Sequence, residues 1–226
     1  MRMLILNCDY DPSNETNGAM LLKKYISSFD IKNILIKNIH SGEFPSEDEI
    51  AYSDGIIITG SRASVYDKEE WISKLMDLVK LIDKLEIPTL GICFGFQVVA
   101  ESLGGNVGPS GSFEEGFGSI FLNEEGLENP IFDRFFNEIK VYQSHGDVAK
   151  ALPKGSVILA ENDHSLQAYC IRNFFCVQFH PEILPEIAEL MGKRDGKDLD
   201  KVFNGVDKKY DQTLKIIENF IDYCRK

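Results

Sequence analysis

What this 226-residue chain lacks narrows its function before any motif is considered. It has no apolar run of membrane-spanning length and no charged-then-apolar leader, since Met1-Arg2-Met3-Leu4-Ile5-Leu6 passes directly into strand-like sequence. A cytoplasmic protein with no membrane partner is expected. Basic residues are in short supply: 24 Lys and Arg stand against 36 Asp and Glu, a net charge of −12. Such a surface repels phosphates, which excludes a general nucleic-acid or anionic-membrane binder. The five cysteines, at positions 8, 93, 170, 176 and 224, are odd in number and contain no CxxC pair. Neither a disulfide framework nor a zinc site is suggested, and reduced thiols suit the same compartment. No internal repeat or low-complexity linker divides the chain, so one domain over residues 1–226 is expected. That length leaves no room for a second catalytic domain.

What is present is an alternation of strands and helices. Strand-like runs at Met3 to Cys8, Asn33 to Ile39, Gly55 to Thr59 and Pro88 to Cys93 alternate with helical patterns at Gly18 to Phe29 and Glu69 to Leu85. That order predicts a mainly parallel, open sheet flanked by helices, an α/β fold. Leu75, Leu78, Val79 and Ile82 recur at helical spacing, opposite Lys74, Asp77, Lys80 and Asp83, which marks a core-facing stripe. After Leu103 short strands are expected at Ser119 to Leu122, Glu138 to Gln143, Val157 to Ala160, Gln167 to Arg172 and Phe174 to Phe179, as an antiparallel extension. Asn106 to Gly118, rich in Gly and Ser, and Lys193 to Asp211, polar and charged, read as solvated loops. The first is placed to border a pocket, through Glu114 and Glu115. The second is open between a lid, a partner contact and an ordered insertion, with Val202 and Phe203 its apolar hint of docking. Leu214, Ile217, Phe220 and Ile221 give a final helix its packing face.

Gly91-Ile92-Cys93-Phe94-Gly95-Phe96-Gln97 lies where a strand-like run meets a helix-like one. A sharp strand-to-helix turn strains the backbone and needs small neighbours, which Gly91 and Gly95 supply. Cys93 would then sit at the positive end of a helix, where exposed N–H groups and the dipole favour thiolate over thiol. The competing reading is a buried core cysteine. A second run, Phe174-Phe175-Cys176-Val177-Gln178-Phe179-His180, is a buried strand ending in His180-Pro181-Glu182. If extended geometry persists through Pro181, His180 and Glu182 point to the same side, and a carboxylate there can orient an imidazole. A lone strand-end histidine is more often structural. Paired with a carboxylate, in a chain that also carries a cysteine elbow, it points to covalent catalysis.

These motifs, with Tyr142-Gln143-Ser144-His145-Gly146-Asp147 between them, occur in the order found in class I glutamine amidotransferases, and the chain resembles that family from about Met3 to Leu190. The resemblance implies a flavodoxin-like fold and hydrolysis of glutamine to glutamate and ammonia. Cys93 would be the nucleophile, His180 the general acid and base, and Glu182 its orienter. Gln97 would belong to the glutamine pocket, and Ser144, Gly146 and Asp147 to the segment holding the amino acid part, with His145 open between structural and functional roles. The loop Gly60-Ser61-Arg62 resembles the family's oxyanion loop. Backbone N–H groups of Gly60 and Phe94 would face the developing oxyanion, with Ser61 beside the substrate. Many relatives have Gly-Gly-Pro at that loop. The Gly-Ser form, with Trp71-Ile72 downstream, is similar to the free-standing GMP-synthase-like branch and to plant γ-glutamyl peptidases. For Trp71 itself, the single Trp, the preferred reading is a helix residue packing on the sheet. Phe96 stands where relatives often have histidine.

The resemblance calls for no metal and no organic cofactor. It implies glutamine or a γ-glutamyl compound as substrate and, for ammonia transfer, a separate ATP-dependent synthetase chain; it sets no oligomeric state. Two alternatives stay open: a γ-glutamyl peptidase using the same triad, and a non-catalytic binding or regulatory domain that kept the fold.

Overall fold

The computed structural model describes residues 1–226 except Pro12, Asn14, Asp30 and Lys32. In chain order the elements are β1 (Arg2–Asn7), α1 (Gly18–Ser27), β2 (Asn33–Asn38), α2 (Glu47–Ala51), β3 (Gly55–Ile58), α3 (Glu70–Lys84), β4 (Thr89–Ile92) and α4 (Phe94–Ser102). There follow β5 (Asn106–Leu122), α5 (Glu124–Glu128), β6 (Glu138–Ala151), β7 (Val157–Glu161), β8 (Leu166–Ile171), β9 (Phe174–Val177), α6 (Pro185–Arg194), α7 (Leu199–Phe203) and α8 (Leu214–Cys224). Among these residues nine strands form one sheet in the order β2-β1-β3-β4-β9-β8-β7-β5-β6. The first five are mutually parallel and the rest antiparallel. The parallel part has the flavodoxin-like order, β9 standing as the fifth strand. None of the helices is long and apolar enough to cross a membrane, among the described residues.

Alternation along the strands divides the core between two faces. Met3 and Ile5 of β1 pack with α1 and α8, whereas Leu4 and Leu6 pack with α3 and α4. β9 does the same with Phe175 and Val177 against Phe174 and Cys176. Strands buried on both faces need continuous apolar runs, which is why they were readable from the sequence. The stripe Leu75, Leu78, Val79 and Ile82 is buried on α3, and Trp71 packs on Phe94 with ring centroids 5.5 Å apart. On α8 the packing face is carried by Ile216, Ile217, Phe220 and Ile221; Leu214 lies at its edge, only partly buried.

Two loop expectations are corrected. Asn106 to Gly118 is not a loop but the first part of β5, which pairs with β6 from Asn106↔Ala151 to Phe121↔Glu138. Its Gly and Ser residues serve a wide irregularity between Pro109 and Glu114, and Gly116, at φ 85°, lies under Val202. Correspondingly, β6 does not stop at Gln143. The stretch Ser144 to Asp147, expected as a turn, is strand. Lys193 to Asp211 is an ordered insertion rather than a loop: α6 runs through Arg194 and α7 buries Val202 in a satellite core with Phe117, Tyr142, Ile183 and Ile187. Phe203 stacks on Phe117 with centroids 6.4 Å apart, a contact worth about 0.5–1.5 kcal/mol beyond its buried area. Polar composition hid this segment because the apolar residues that dock it, Val202, Phe203, Val206 and Tyr210, are few and scattered along it.

Backbone packs tightly against backbone at the β4–α4 junction. A Cβ at Gly91 would lie 2.8 Å from the Gly95 carbonyl, and one at Gly95 would collide with the Ile58 carbonyl of β3. Gly95→Ala is expected to destabilise the fold by roughly 1–3 kcal/mol, since a backbone carbonyl cannot turn aside as a flexible side chain does. A lowered urea midpoint at unchanged m-value would show it.

Candidate active site

Four loops at the carboxyl ends of parallel strands meet in one cleft: those following β1, β3, β4 and β9. Ligands bind at this edge of open α/β sheets because helix N-termini and loop backbones converge there. The β5–β6 ribbon closes the cleft from the other side, because the His180 N–H donates to the Tyr142 carbonyl at 2.9 Å in an isolated bridge.

Cys93 occupies the turn between β4 and α4 at φ 51° and ψ −99°, a region that residues with a Cβ rarely enter. Its N–H donates to the Val177 carbonyl at 2.8 Å, which ties the turn to β9. The Cys93 side chain caps α4 with no hydrogen bond, so the first N–H groups of the helix stay open. The Gly60 and Phe94 N–H groups donate to no acceptor among the described residues. Gly60 is also sterically required: a Cβ there would lie 2.8 Å from His180 Cε1 and 3.6 Å from Cys93 Cβ. Thiol, imidazole and the loop after β3 therefore meet at this one glycine.

β9 ends at Val177, and Pro181 and Glu182 form a turn rather than an extended segment. The expected pairing nevertheless forms, with the His180 Nδ1–H donating to Glu182 Oε1 at 2.9 Å. Glu182 is almost fully buried, and its Oε2 has no hydrogen-bond partner among the described residues. A buried carboxylate with one partner makes that partner's charge costly to lose. Burial alone would lower the His180 pKa, but the Glu182 carboxylate and then the neighbouring Cys93 outweigh it and hold His180 well above its ordinary range. A raised native pKa means that protonated His180 stabilises the fold fully below about pH 6.5, the unfolded value, and that this contribution fades as pH rises through the native pKa. The other cysteines differ in kind. Burial pushes Cys176 and Cys224 up to about 12 and raises Cys8 and Cys170 as well, so these four remain thiols.

The remaining expected residues line the same cleft in different ways. Gln97 is buried, and its Nε2 donates to the Asp147 carbonyl at 3.2 Å and to Gln178 Oε1 at 3.4 Å. The Ser144 carbonyl faces Cys93 Sγ at 3.9 Å. Gly146 lies under Phe113, at the irregular tip of β5. Asp147 turns its carboxylate to the oxyanion loop, accepting from Ser64 Oγ at 2.5 Å and Tyr66 OH at 2.9 Å. It therefore locks loop to ribbon. Ser61 lines the cleft and accepts the Ala63 N–H at 3.1 Å. His145 is buried with Nδ1 3.2 Å from the Asp147 carbonyl and Nε2 3.5 Å from Glu114 Oε1. Burial lowers its pKa, the Glu114 carboxylate opposes this, and the neighbouring His180 charge adds to it.

Sequence reasoning missed Gln178, whose Nε2 approaches Cys93 Sγ at 3.7 Å while fully buried. The signal was available: a Gln in an otherwise apolar run, two residues before His180, on the same face of an extended chain. Asp9, Arg62 and Arg194 also line the cleft, and their loops carried no periodicity to single them out. Among the described residues no group of three or more His, Cys, Asp or Glu is placed to hold a metal ion.

The chain matches the family model described as Glutamine amidotransferase class-I over residues 16–191. Gamma-glutamyl peptidase 4 of Arabidopsis thaliana is 33% identical over 146 residues, 62% of this chain and 58% of the peptidase. A glutamine-hydrolysing GMP synthase of Neisseria meningitidis serogroup C is 32% identical over 149 residues, 64% of this chain and 27% of the synthase. The match thus covers less than two thirds of the length of either relative. A solved glutamine amidotransferase of Thermotoga maritima shares the fold at a TM-score of 0.79, covering 99% of this chain and 97% of that one at 19% identity.

Iodoacetamide near neutral pH is expected to alkylate Cys93 ahead of the other four thiols, whose pKa values are raised, as peptide mapping would show. Glu182→Gln removes the charge that holds the His180 proton. The imidazolium then persists only to lower pH, Cys93 loses its cationic neighbour, and its alkylation rate at pH 7 should fall about tenfold or more.

Proposed function

The chain belongs to the class I glutamine amidotransferase family, and from that premise we propose that it is a cysteine amidohydrolase acting on the side-chain amide of glutamine. The observation that carries the reading is the meeting, in one cleft, of a thiol on a strained strand-to-helix turn and a buried imidazole–carboxylate pair. In this cycle the Cys93 thiolate attacks the amide carbon, and the oxygen that becomes negative is held by the N–H groups of Gly60 and Phe94. As the C–N bond breaks, His180 gives its proton to the departing nitrogen and ammonia leaves. Water then passes a proton to His180 and adds its oxygen to the thioester carbon, releasing glutamate and restoring the thiolate–imidazolium pair. Glu182 orients the ring throughout. Gln97, Ser61 and the segment Ser144 to Asp147 bind the amino acid part, with Asp147 acting through its backbone because its carboxylate is engaged by Ser64 and Tyr66.

The likeness to a GMP synthase supports a cytoplasmic protein that passes ammonia to a separate ATP-dependent synthetase chain. A second reading, cleavage of γ-glutamyl peptides, is favoured by the size of the cleft. It holds about 760 Å³, within the roughly 300–1,000 Å³ that accommodates drug-sized ligands rather than one amino acid.

The purified chain is expected to release glutamate and ammonia from glutamine, with Cys93→Ala lowering turnover on the order of 10³-fold or more. Glutamate released only from a γ-glutamyl dipeptide would transfer the activity to the peptidase reading. No release from either, with Cys93 inert to alkylation, would overturn both in favour of a non-catalytic domain.

A further inference from the structure

The cleft continues past His180, on the side from which the departing nitrogen must leave if His180 is to protonate it. There it is bounded by the loop after β1 and by the carboxyl end of α6. A Cβ at Gly18 would touch Glu182 Oε1 at 3.5 Å and Asp9 Oδ2 at 3.9 Å, so the β1–α1 loop lies directly against the His180–Glu182 pair. Arg194 then joins this loop to α6, donating to Asp11 Oδ2 at 2.8 Å and to Thr16 Oγ1 at 3.3 Å.

Among the described residues, the cations at this end are paired except for one. Arg194 also grips Asp195 with two hydrogen bonds, of 2.8 and 3.1 Å, and Lys197 pairs with Glu115 at 3.2 Å. Asp9 accepts the N–H groups of Gly18 and Asp11. Arg62 lines the cleft on the oxyanion loop, two residues beyond Gly60, and among the described residues forms no ion pair within 4.0 Å. Asp195, at the end of α6, feels the Arg62 charge but is itself held by Arg194. A guanidinium presents a planar fork of donors that matches a carboxylate.

The geometry points to Arg62 as the receiver of a free carboxylate on the amine side of the scissile bond, so that this site takes γ-glutamyl amino acids or peptides in which that carboxylate is within its reach. The inference rests on the amidohydrolase reading above and deepens it. In the reaction the γ-glutamyl C–N bond breaks as the bond to Cys93 sulfur forms. The proton of His180 goes to the amine nitrogen, and the released amino acid keeps its carboxylate on Arg62 until it departs. Water then hydrolyses the thioester to glutamate.

The test measures glutamate release by the full chain from γ-glutamyl-alanine, from its C-terminal amide γ-glutamyl-alaninamide, and from glutamine. The acid is expected to exceed the amide in kcat/KM by on the order of tenfold or more. Arg62→Ala should bring that ratio close to one, chiefly by raising KM for the acid, and Arg62→Lys should keep part of it. Because the glutamyl half is the same in both dipeptides, the ratio reports the amine side alone. A ratio near one in the parent chain overturns the inference, as does a ratio that survives Arg62→Ala. Glutamine turnover without dipeptide turnover also overturns it, while leaving the amidohydrolase reading in place. Silence on all three substrates overturns both.

Discussion

The backbone of Cys93 can hold φ 51° and ψ −99° only because the chain on either side of it is packed without Cβ atoms. Gly95 rests on the Ile58 carbonyl of β3, Gly91 rests on Gly95, and the Cys93 N–H is taken by the Val177 carbonyl of β9. Three adjacent parallel strands thus share the cost of one unfavourable turn. Hydrophobic burial on both sheet faces makes those strands rigid enough to bear it. The same packing leaves the N–H groups at the start of α4 unpaired and directed to the cleft, so the strain and the anion-binding potential have one origin.

Charge is managed by a similar economy of partners. Glu182 is buried with a single hydrogen-bonding neighbour, His180, and that neighbour must stay positive or leave a carboxylate stranded in a poorly solvated place. The raised affinity of His180 for its proton follows from this pairing in spite of burial. His145, which lines the same cleft, is driven the opposite way by burial and by His180 itself. Two histidines of one cleft are therefore set in different charge states by their surroundings, which is a common arrangement where acid and base chemistry share a site. Burial raises the pKa of the four remaining cysteines and keeps their protons on, and Cys93 is distinct by its place on the β4–α4 turn rather than by residue type.

The parallel half of the sheet was legible because β1, β3, β4 and β9 are buried on both faces and so are written as nearly unbroken apolar runs. The cysteine turn was legible because its steric demand for glycine is local. The β5–β6 ribbon was not, since Gly108, Pro109, Gly111, Gly116 and Gly118 interrupt any alternation. Those residues permit an irregular, strongly bent strand just as well as a loop. The α6–α7 insertion was hidden for another reason: a short helix held by Val202 and Phe203 on Phe117 and Tyr142 needs few apolar residues, and its partners lie about 60 to 85 residues away in the chain. His180 and Glu182 meet as expected, though through a turn and not through the continued strand that suggested it.

By itself, then, the sequence determined the α/β pattern, the strained cysteine turn and the pairing of His180 with Glu182, because each depends on residues within a few positions of one another. Tertiary structure decided what required distant segments to converge. It decided that Cys93 and His180 share Gly60 as a common neighbour, that Gln178 reaches the thiol, and that Asp147 spends its carboxylate on the oxyanion loop. It also decided that Arg62 alone among the cations at the far end of the cleft is left without an ion-pair partner among the described residues. Which side chains are neutralised and which remain available is a property of packing between segments far apart in sequence, and no local spacing encodes it.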